Sequence, residues 1–402
     1  MKSPHVEPAQ RVPVAVLAAA FLFNVGQGVL RPSMPLYLEK VFAANYRMVT
    51  LIPVVFGAGK WIANVPTGHL LGRFGRRLMI GGLLVIAFVD VASISTSRYD
   101  LFLGLRALGG AGWAMFATVA TTAMVARPAR RRGRAVSLLL MSETAGLLVG
   151  SAAGGWAYQG MGVASPFLFE AACMVVAMVA VARWASFPAN AATTPPRSGD
   201  RHLLGTVLRV PGVLLMGMTS ALLTAIQTGV LVFLLPLYLV KRGGIGPEAV
   251  GLLVSLSVFG RLMALWLGGS VSDLWGRMRV LIPGLLTYAG LLGSMPLLTR
   301  PGLLGIWSFA LGAAAGLVTS IPTALTSDQV ERTHQGVAIG WLRMMGDGGQ
   351  IVGPLVMGAL ADAIDLSAPF LFGAGLLAVT ASQCRRRANA LSARVVPGGG
   401  DS

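Results

Sequence analysis

Apolar stretches long enough to cross a membrane alternate with short polar segments along almost the whole chain. A helix rises about 1.5 Å per residue, so about 20 apolar residues span the roughly 30 Å hydrocarbon core of a bilayer. The pattern predicts six such helices, then a polar stretch, then six more. The predicted spans are 12–38, 48–70, 78–97, 100–126, 135–158 and 164–187, followed by 211–239, 248–270, 280–299, 302–326, 336–360 and 366–384.

These spans divide the chain into five predicted segments, and the fold class follows from them. The sequence predicts an all-α integral membrane protein with 12 transmembrane helices in two pseudo-symmetric six-helix bundles. The segments are a cytoplasmic N-terminus (1–11), the N-terminal bundle (12–187), a cytoplasmic linker (188–210), the C-terminal bundle (211–384) and a basic cytoplasmic tail (385–402).

The two predicted bundles are related by an internal repeat. The segment Gly28–Leu38 returns 201 positions later as Gly229–Leu239, with seven of its residues matching in register. Later in each half the offset is 203, which aligns Gly146 with Gly349. A repeat of this length in an apolar chain indicates a transporter built from two related halves.

Composition and charge support a membrane protein and exclude several other classes. The chain is 55% hydrophobic and 12% charged, with a mean hydropathy of +0.72, whereas soluble domains carry about 25% charged residues. The net charge of +17 comes from arginine clusters between apolar spans, so no nucleic-acid partner is expected. The two cysteines and four histidines lack metal-ligand spacing, and neither a metal site nor a disulfide framework is expected.

The distribution of cations predicts the orientation. With the N-terminus inside, 20 of the 32 Lys and Arg residues fall in cytoplasmic segments, against about seven in external segments. The sequence therefore predicts a multi-pass protein of a bacterial-type plasma membrane, with both termini in the cytoplasm.

The loops after the second and eighth spans share glycine and arginine positions. The segment 68–77 reads Gly-His-Leu-Leu-Gly-Arg-Phe-Gly-Arg-Arg, and 269–279 reads Gly-Ser-Val-Ser-Asp-Leu-Trp-Gly-Arg-Met-Arg. Alone, each is a short hairpin that sets topology, but its recurrence in both halves resembles the signature loop of the major facilitator superfamily. The resemblance covers nearly the whole chain and implies gating residues Gly68, Gly72, Arg73, Gly75, Arg76, Gly269, Asp273, Gly276 and Arg277.

The first of these loops departs from the family pattern. The family's acidic residue is Asp273 in the second half but is replaced by Gly72 in the first. By resemblance this acid faces the N-terminus of a helix in the opposite half, where the helix dipole favours a negative charge. We therefore expect an inward gate that is asymmetric between the halves.

Span 4 carries a second resemblance. The segment 106–112 reads Arg-Ala-Leu-Gly-Gly-Ala-Gly and is similar to the family's Arg-x-x-Gln-Gly-x-Gly motif, with Gly109 in place of glutamine. The resemblance implies that Arg106 lines the cavity and supports substrate binding or proton movement. The alternative is an arginine that snorkels to the outer interface.

Glycine spacing in spans 5 and 11 resembles a motif of proton-coupled drug antiporters, although Ser151 replaces its proline in span 5. Glycines four residues apart also allow close helix packing, which is the alternative reading. The predicted packing residues are Gly146, Gly150, Gly154, Gly155, Gly349, Gly353, Pro354 and Gly358.

Charged residues inside spans are costly, and they mark candidate sites of proton coupling. Equal depth in the two halves leads us to pair Lys60 with Asp347 and Arg261 with Glu143 across the halves. The alternative for Asp347 is local neutralisation by a residue four positions away on the same helix. The candidate coupling charges are Lys60, Arg106, Glu143, Arg261, Arg343 and Asp347.

Two further acids, Asp90 and Glu170, lie nearer the outer ends of spans 3 and 6. Spans 3 and 6 are peripheral in the family, so the resemblance implies a solvated or interfacial role for both side chains.

By resemblance, spans 1, 4, 7 and 10 line the substrate cavity. Their side chains include few fixed anions, which favours neutral, amphipathic or anionic substrates over permanent cations. Gln27 and Gln227 could equally form hydrogen bonds between helices. The candidate lining residues are Asn24, Gln27, Arg31, Trp113, Gln227, Thr228 and Trp307.

These observations predict a secondary active transporter that exports a small organic molecule by proton antiport through alternating access. The alternatives are an importer or facilitator of a sugar or organic acid, and a transport-inactive membrane sensor. No catalytic cluster and no phosphate-binding loop for ATP is present, so an enzyme is not expected. We expect a monomer whose partners are the substrate and the bilayer, driven by a proton gradient, with no cofactor and no metal.

Overall fold

The computed structural model describes residues 14–125, 129–184, 210, 212–298, 301–330 and 335–395, and these residues form helices and short turns with no strand. The all-α prediction is confirmed. Within these ranges, nine segments are long and apolar enough to cross a membrane. The α-helices are α1 (Val14–Phe42), α2 (Tyr46–Ile94), α3 (Tyr99–Val125), α4 (Ala129–Met161), α5 (Ser165–Trp184), α6 (Val213–Ala225), α7 (Leu235–Lys241), α8 (Pro247–Trp275), α9 (Arg277–Ser294), α10 (Pro301–Thr319), α11 (Ile321–Gln329), α12 (Gln335–Ala363) and α13 (Ala368–Val395).

Four predicted spans take a form that periodicity alone does not reveal. Predicted span 2 and most of predicted span 3 lie in α2, whose two helical parts meet at a kink where Phe74 is non-helical (φ −129°, ψ 16°). Predicted span 7 is α6 and α7 joined by a π-helix, Ile226–Leu234. Predicted span 10 divides into α10 and α11, where Pro322 lies in the first turn of the new helix because proline has no N–H to continue the ladder.

The helices form two compact units. Unit 1 contains residues 1–197 and 244–255, and unit 2 contains residues 198–243 and 256–402. The predicted N-terminus (1–11) and the predicted linker (188–210), apart from Val210, lie outside the described residues. In unit 2 the helix α13 extends to Val395, so the first part of the predicted basic tail is helical.

Glycines allow equivalent helices of the two units to pack with their backbones in contact. In unit 1, a Cβ added at Gly150 of α4 would lie 2.0 Å from the carbonyl oxygen of Val25 in α1. In unit 2, a Cβ added at Gly349 of α12 would lie 2.0 Å from the carbonyl oxygen of Ala221 in α6. No residue with a side chain fits at either crossing. The neighbouring glycines with comparably close approaches are Gly146 and Gly154 in α4 and Gly353 in α12.

An aromatic pair occupies equivalent places in the two units. In unit 1 the rings of Tyr37 and Phe167 meet edge to face, with centroids 4.6 Å apart. In unit 2 the rings of Tyr238 and Phe370 do the same at 5.1 Å. These are the positions that the 201 and 203 offsets align, so the sequence repeat is also a repeat of packing. Edge-to-face geometry is the favoured arrangement of such rings.

Candidate functional site

A buried ion pair lies between α2 and α3 in unit 1. The side chain of Arg106 in α3 is 6% exposed, and that of Asp90 in α2 is fully buried. Nη2 of Arg106 donates to Asp90 Oδ1 at 3.0 Å, to Ser93 Oγ at 2.7 Å and to the Val89 carbonyl at 3.2 Å. The guanidinium of α3 therefore binds two successive turns of α2, and the Asp90 carboxylate of the same unit balances its positive charge.

Aromatic rings enclose the same guanidinium. Its Cζ lies 5.3 Å from the ring centroid of Phe102 and 5.4 Å from that of Phe167, within the range of cation–π attraction. The hydroxyl of Tyr37 donates to the Ser93 carbonyl at 3.3 Å. These rings and its partners in α2 enclose Arg106 within unit 1, so the alternative that it snorkels to the interface does not fit. Its role in substrate binding or proton movement remains a prediction.

A second carboxyl group joins this cluster from α5. Glu170 is fully buried, and its Oε1 accepts a hydrogen bond of 2.5 Å from Nε2 of Gln27 in α1. A Cβ added at Gly26 would lie 3.0 Å from Glu170 Cγ, so the absence of a side chain there makes room for the acid. We call Gln27, Asp90, Ser93, Arg106 and Glu170 the buried polar cluster.

The expectation of a solvated role for Asp90 and Glu170 is wrong. Both have no exposed surface, because the partners Arg106 and Gln27 turn each carboxyl group inward. A signal was available in the sequence, since all three charges lie near the outer ends of their predicted spans. The similar depth of these three charges along their helices therefore indicated the cluster better than the expected peripheral position of spans 3 and 6.

Unit 2 has an uncharged version of this cluster. The repeat aligns Arg106 with Trp307, whose indole N–H donates to the Leu291 carbonyl at 2.8 Å and to Ser294 Oγ at 3.2 Å. Ser294 is the repeat equivalent of Ser93, whereas the equivalents of Asp90 and Glu170 are Leu291 and Gly373. Trp307 is 5% exposed and joins α9 to α10. Its place in the lining of the substrate cavity remains a prediction.

A cavity of about 110 Å³ lies within unit 2. Arg261 of α8 and Tyr288 of α9 bring N–H and O–H donors to its wall. Among the described residues no hydrogen-bond acceptor is found for the Tyr288 hydroxyl, and no hydrogen bond or ion pair is found for Arg261. The lining residues are Ser220, Leu223, Thr224, Gln227, Arg261, Tyr288, Ala315 and Thr319.

The threonine hydroxyl groups of the cavity wall donate hydrogen bonds to backbone carbonyls. Thr224 donates to the Ser220 carbonyl at 2.9 Å, and Thr319 donates to the Ala315 carbonyl at 2.5 Å. Gln227 reaches the wall from the π-helix, a rare form that often marks functional sites. The cavity therefore presents a cation and a phenol to any acceptor-rich group that enters it.

Lys60 contacts an aromatic side chain within unit 1. Its Nζ lies 4.5 Å from the ring centroid of Trp113, a residue predicted to line the substrate cavity. Its predicted partner, Asp347, belongs to unit 2, as does Arg261, the predicted partner of Glu143. Both pairs would join the two units, and both remain predictions.

The remaining candidates are spread over several helices. Asn24 and Glu143 are half-buried in α1 and α4, and Asn24 donates to the Ala20 carbonyl at 2.9 Å. In α12, Arg343 is exposed and Asp347 half-buried, and no ion pair between these two described residues is found. The other candidates from the predicted cavity, both half-buried, are Arg31 and Thr228.

The two signature loops hold their arginines by different contacts. Arg76 donates to the Ala182 carbonyl near the end of α5, whereas Arg277 pairs with Asp328 of α11. Gly276 has a φ of +90°, which a glycine adopts without strain, and it is the N-cap residue directly before α9. Gly75 lies inside α2. The side chains or surroundings of the other loop positions lie outside the described residues, and they are Gly68, Gly72, Arg73, Gly269 and Asp273.

Asp365 lies in the turn between α12 and α13 and forms an ion pair with Arg242, which follows α7. Burial raises the pKa of Asp365, but hydrogen bonds from Ser367 and Arg242 outweigh it and hold this pKa below its ordinary value. This pair connects two ends of helices in unit 2. Within the described residues, no group of three His, Cys, Asp or Glu residues could hold a metal ion.

Comparison with known proteins defines the class. The Major Facilitator Superfamily model matches residues 16–247 and 217–384. The protein therefore belongs to the major facilitator superfamily, whose fold is that of a transporter with 12 transmembrane helices in two six-helix bundles.

Two relatives cover nearly all of the chain. It is 25% identical over 391 residues to the "Multidrug resistance protein MdtG" of Citrobacter koseri, covering 93% of this chain and 95% of the relative. It is 26% identical over 371 residues to the protein of the same name from Escherichia coli (strain SMS-3-5 / SECEC), covering 89% of each.

Solved structures show the same fold. A mutant of the nucleoside transporter NupG superposes with a TM-score of 0.81 at 12% identity, covering 94% of this chain and 99% of that chain. A second NupG structure superposes with a TM-score of 0.74 at 10% identity, covering 94% and 98%. At these identities the likeness establishes the fold alone.

Proposed function

We propose that this transporter exports a small organic molecule across a bacterial-type plasma membrane in exchange for protons, by alternating access. The observation that carries the proposal is the buried polar cluster, in which Asp90, Arg106 and Glu170 are at most 5% exposed. Ionisable groups inside a membrane protein are costly, and they mark ion and substrate pathways. The similarity to multidrug resistance proteins over most of the chain supports export as the direction.

The unit 2 cavity supports a substrate with a hydrogen-bond acceptor group. Arg261 and Tyr288 present donors without internal acceptors, so a carboxylate, phenolate or carbonyl of the substrate would satisfy both. The cavity of about 110 Å³ holds a few non-hydrogen atoms, because a water molecule occupies about 30 Å³ of liquid. The cavity would therefore bind one polar end of an amphipathic molecule. In the proposed orientation the N-terminus and the C-terminus of the protein both lie in the cytoplasm.

Expression in a bacterial strain without its own efflux pumps tests the direction and the substrate. The panel contains nalidixic acid as an amphipathic carboxylate without a basic amine, a neutral dye, a permanent cation, a sugar and a nucleoside. We expect resistance to, and reduced accumulation of, the carboxylate, abolished when an uncoupler collapses the proton gradient. Accumulation of the sugar or the nucleoside that increases with expression would instead indicate an importer and contradict the proposal.

Replacing Arg261 with glutamine tests the polar cavity. A hydrogen bond to a charged group contributes about 1.5–3 kcal/mol, so we expect the apparent affinity for the carboxylate to fall by about tenfold or more. The affinity for a neutral ester of the same compound should change less, because it does not carry the complementary charge. Transport kinetics in proteoliposomes measure both.

The matched control for that test is Arg385→Gln, which removes an exposed arginine from α13 of the same unit. We expect it to leave both affinities unchanged. Equal losses for the carboxylate and its ester in Arg261→Gln would contradict recognition of the anionic group by this arginine.

A further inference from the structure

We propose that the carboxyl groups of Asp90 and Glu170 share one proton and that this proton is the one the transporter exchanges. The second half of this statement rests on the proposed function, whereas the first half stands on the geometry of unit 1 alone. The site assigns proton binding to two residues that lie outside the predicted set of coupling charges.

The hydrogen bonds leave one oxygen of each carboxyl group without a donor. Asp90 Oδ1 accepts from Arg106 at 3.0 Å, and Glu170 Oε1 accepts from Gln27 at 2.5 Å. The other two oxygens, Asp90 Oδ2 and Glu170 Oε2, are buried and have no donor among the described residues. The charges of these two buried side chains act on each other as well as on Arg106. Ionised carboxylates only accept hydrogen bonds, so two neighbouring carboxylates repel each other unless one of them carries a proton.

The charges of the cluster require the same proton. Arg106 is the cation whose charge acts on both acids. With both acids ionised, this fully buried region would carry a net negative charge, at a large desolvation cost. One proton makes the cluster neutral. The other titratable groups nearby are the Tyr37 phenol from α1 and the Cys173 thiol from α5, and neither supplies a positive charge.

The scaffold itself does not require these acids. Unit 2 builds the equivalent crossing from Trp307, Ser294 and Leu291, with Gly373 in place of the glutamate. That crossing is joined by the indole N–H without any carboxyl group. The two acids and the arginine are therefore an addition to unit 1, and buried ionisable groups that a fold does not need for packing indicate function.

The route to this site passes along α1. Gln27 is the half-buried member of the cluster, and it is the group that contacts Glu170. When the Gln27 contact opens, water can enter beside the Glu170 carboxyl group; the O–H bond at Glu170 Oε2 breaks, and the proton passes to that water and leaves as hydronium. The carboxylate left behind is stabilised by hydration as long as the contact stays open. Protonation is thereby linked to the packing of α1 against α5.

Infrared spectroscopy on the purified full-length protein, without substrate, tests the shared proton. We expect a carbonyl stretch of a protonated, buried carboxylic acid in the wild type, shifted by exchange into heavy water. The band should be lost or moved in Glu170→Gln and in Asp90→Asn, but unchanged in Asp100→Asn, which alters an exposed acid of the same unit. A band that neither Glu170→Gln nor Asp90→Asn alters would overturn the proposal. If one variant does not fold, the wild-type spectrum and the other variant still show whether a buried carboxylic acid is protonated.

Proteoliposomes containing the panel compound that the wild type exports test the exchange. An amide cannot release a proton, so we expect Glu170→Gln to keep substrate exchange without a gradient and to lose accumulation driven by an imposed pH gradient. Glu170→Asp, which keeps the carboxyl group, should retain part of that accumulation. Full pH-driven accumulation in both Glu170→Gln and Asp90→Asn would show that the exchanged proton binds elsewhere.

The two experiments separate the failure of this inference from the failure of the proposed function. If the wild type exports without any dependence on the pH gradient, antiport is wrong and the exchange half of the inference fails with it. The infrared measurement then still decides whether the two acids share a proton.

Discussion

Replacing Arg106 with methionine should abolish pH-driven transport and sharply reduce the stability of the folded protein. The change leaves Asp90 buried without its cation, and removing one partner of a buried ion pair costs about 3–5 kcal/mol. Ser93 Oγ and the Val89 carbonyl lose their donor as well. Unfolding in a denaturing detergent, followed by circular dichroism, measures the loss, and the proteoliposome assay measures transport.

Two comparisons make this result interpretable. Arg98→Met disrupts an ion pair with Asp100 in which both side chains are mostly exposed, so we expect no measurable change. The double variant Asp90→Leu with Arg106→Met places at position 90 the leucine found at the equivalent position 291. Removing both polar partners should recover much of the stability without restoring pH-driven transport. Wild-type stability in Arg106→Met alone would show that the buried pair is not needed for folding.

Replacing Gly150 with alanine should destabilise unit 1, although the substitution adds only one methyl group. The new Cβ would lie 2.0 Å from the Val25 carbonyl oxygen and 2.9 Å from the Gly28 Cα, and backbone atoms cannot rotate away as a side chain can. Overpacking costs about 1–3 kcal/mol, and here α1 and α4 must separate to accommodate it. The midpoint of unfolding in denaturing detergent should fall accordingly.

The same helix provides the matched control. Gly160 also lies in α4, but no atom lies within 4 Å of a Cβ added there. Alanine is a better helix former than glycine by about 1 kcal/mol, so Gly160→Ala should be neutral or slightly stabilising. Equal effects of the two substitutions would mean that helix propensity, rather than the α1–α4 crossing, determines the outcome.

The repeat made much of the scaffold predictable before any coordinates. It aligned Tyr37 with Tyr238 and Gly150 with Gly353, and these residues take equivalent places in the two units. Such positions are predictable because each half packs the same helices. A glycine or an aromatic residue needed at a helix crossing therefore recurs at the equivalent position of the other half. Helix interruptions were less predictable, since the π-helix at Ile226–Leu234 arises from packing and not from periodicity.

The candidate sites were predictable only in part. Arg106 was recognisable from its motif, but its partner Asp90 lies 16 positions earlier on another helix and was assigned to a peripheral surface. Helical depth places Lys60 level with an acid of the other half, but it does not predict the contact of Lys60 with the Trp113 ring. Helical depth gives the level of a charge in the membrane, but it does not give the direction in which the side chain points.

The class of this protein follows from the order of residues along the chain. Twelve apolar spans, a repeat of about 200 residues and two signature loops are properties of the chain order, and they are sufficient for an all-α transporter of this superfamily. The tertiary structure alone decided which buried groups meet: the carboxyl groups of Asp90 and Glu170 beside Arg106, with Trp307 in the equivalent place of unit 2. Burial and hydrogen bonding depend on how helices rotate against one another, and the pattern along one helix does not specify that rotation.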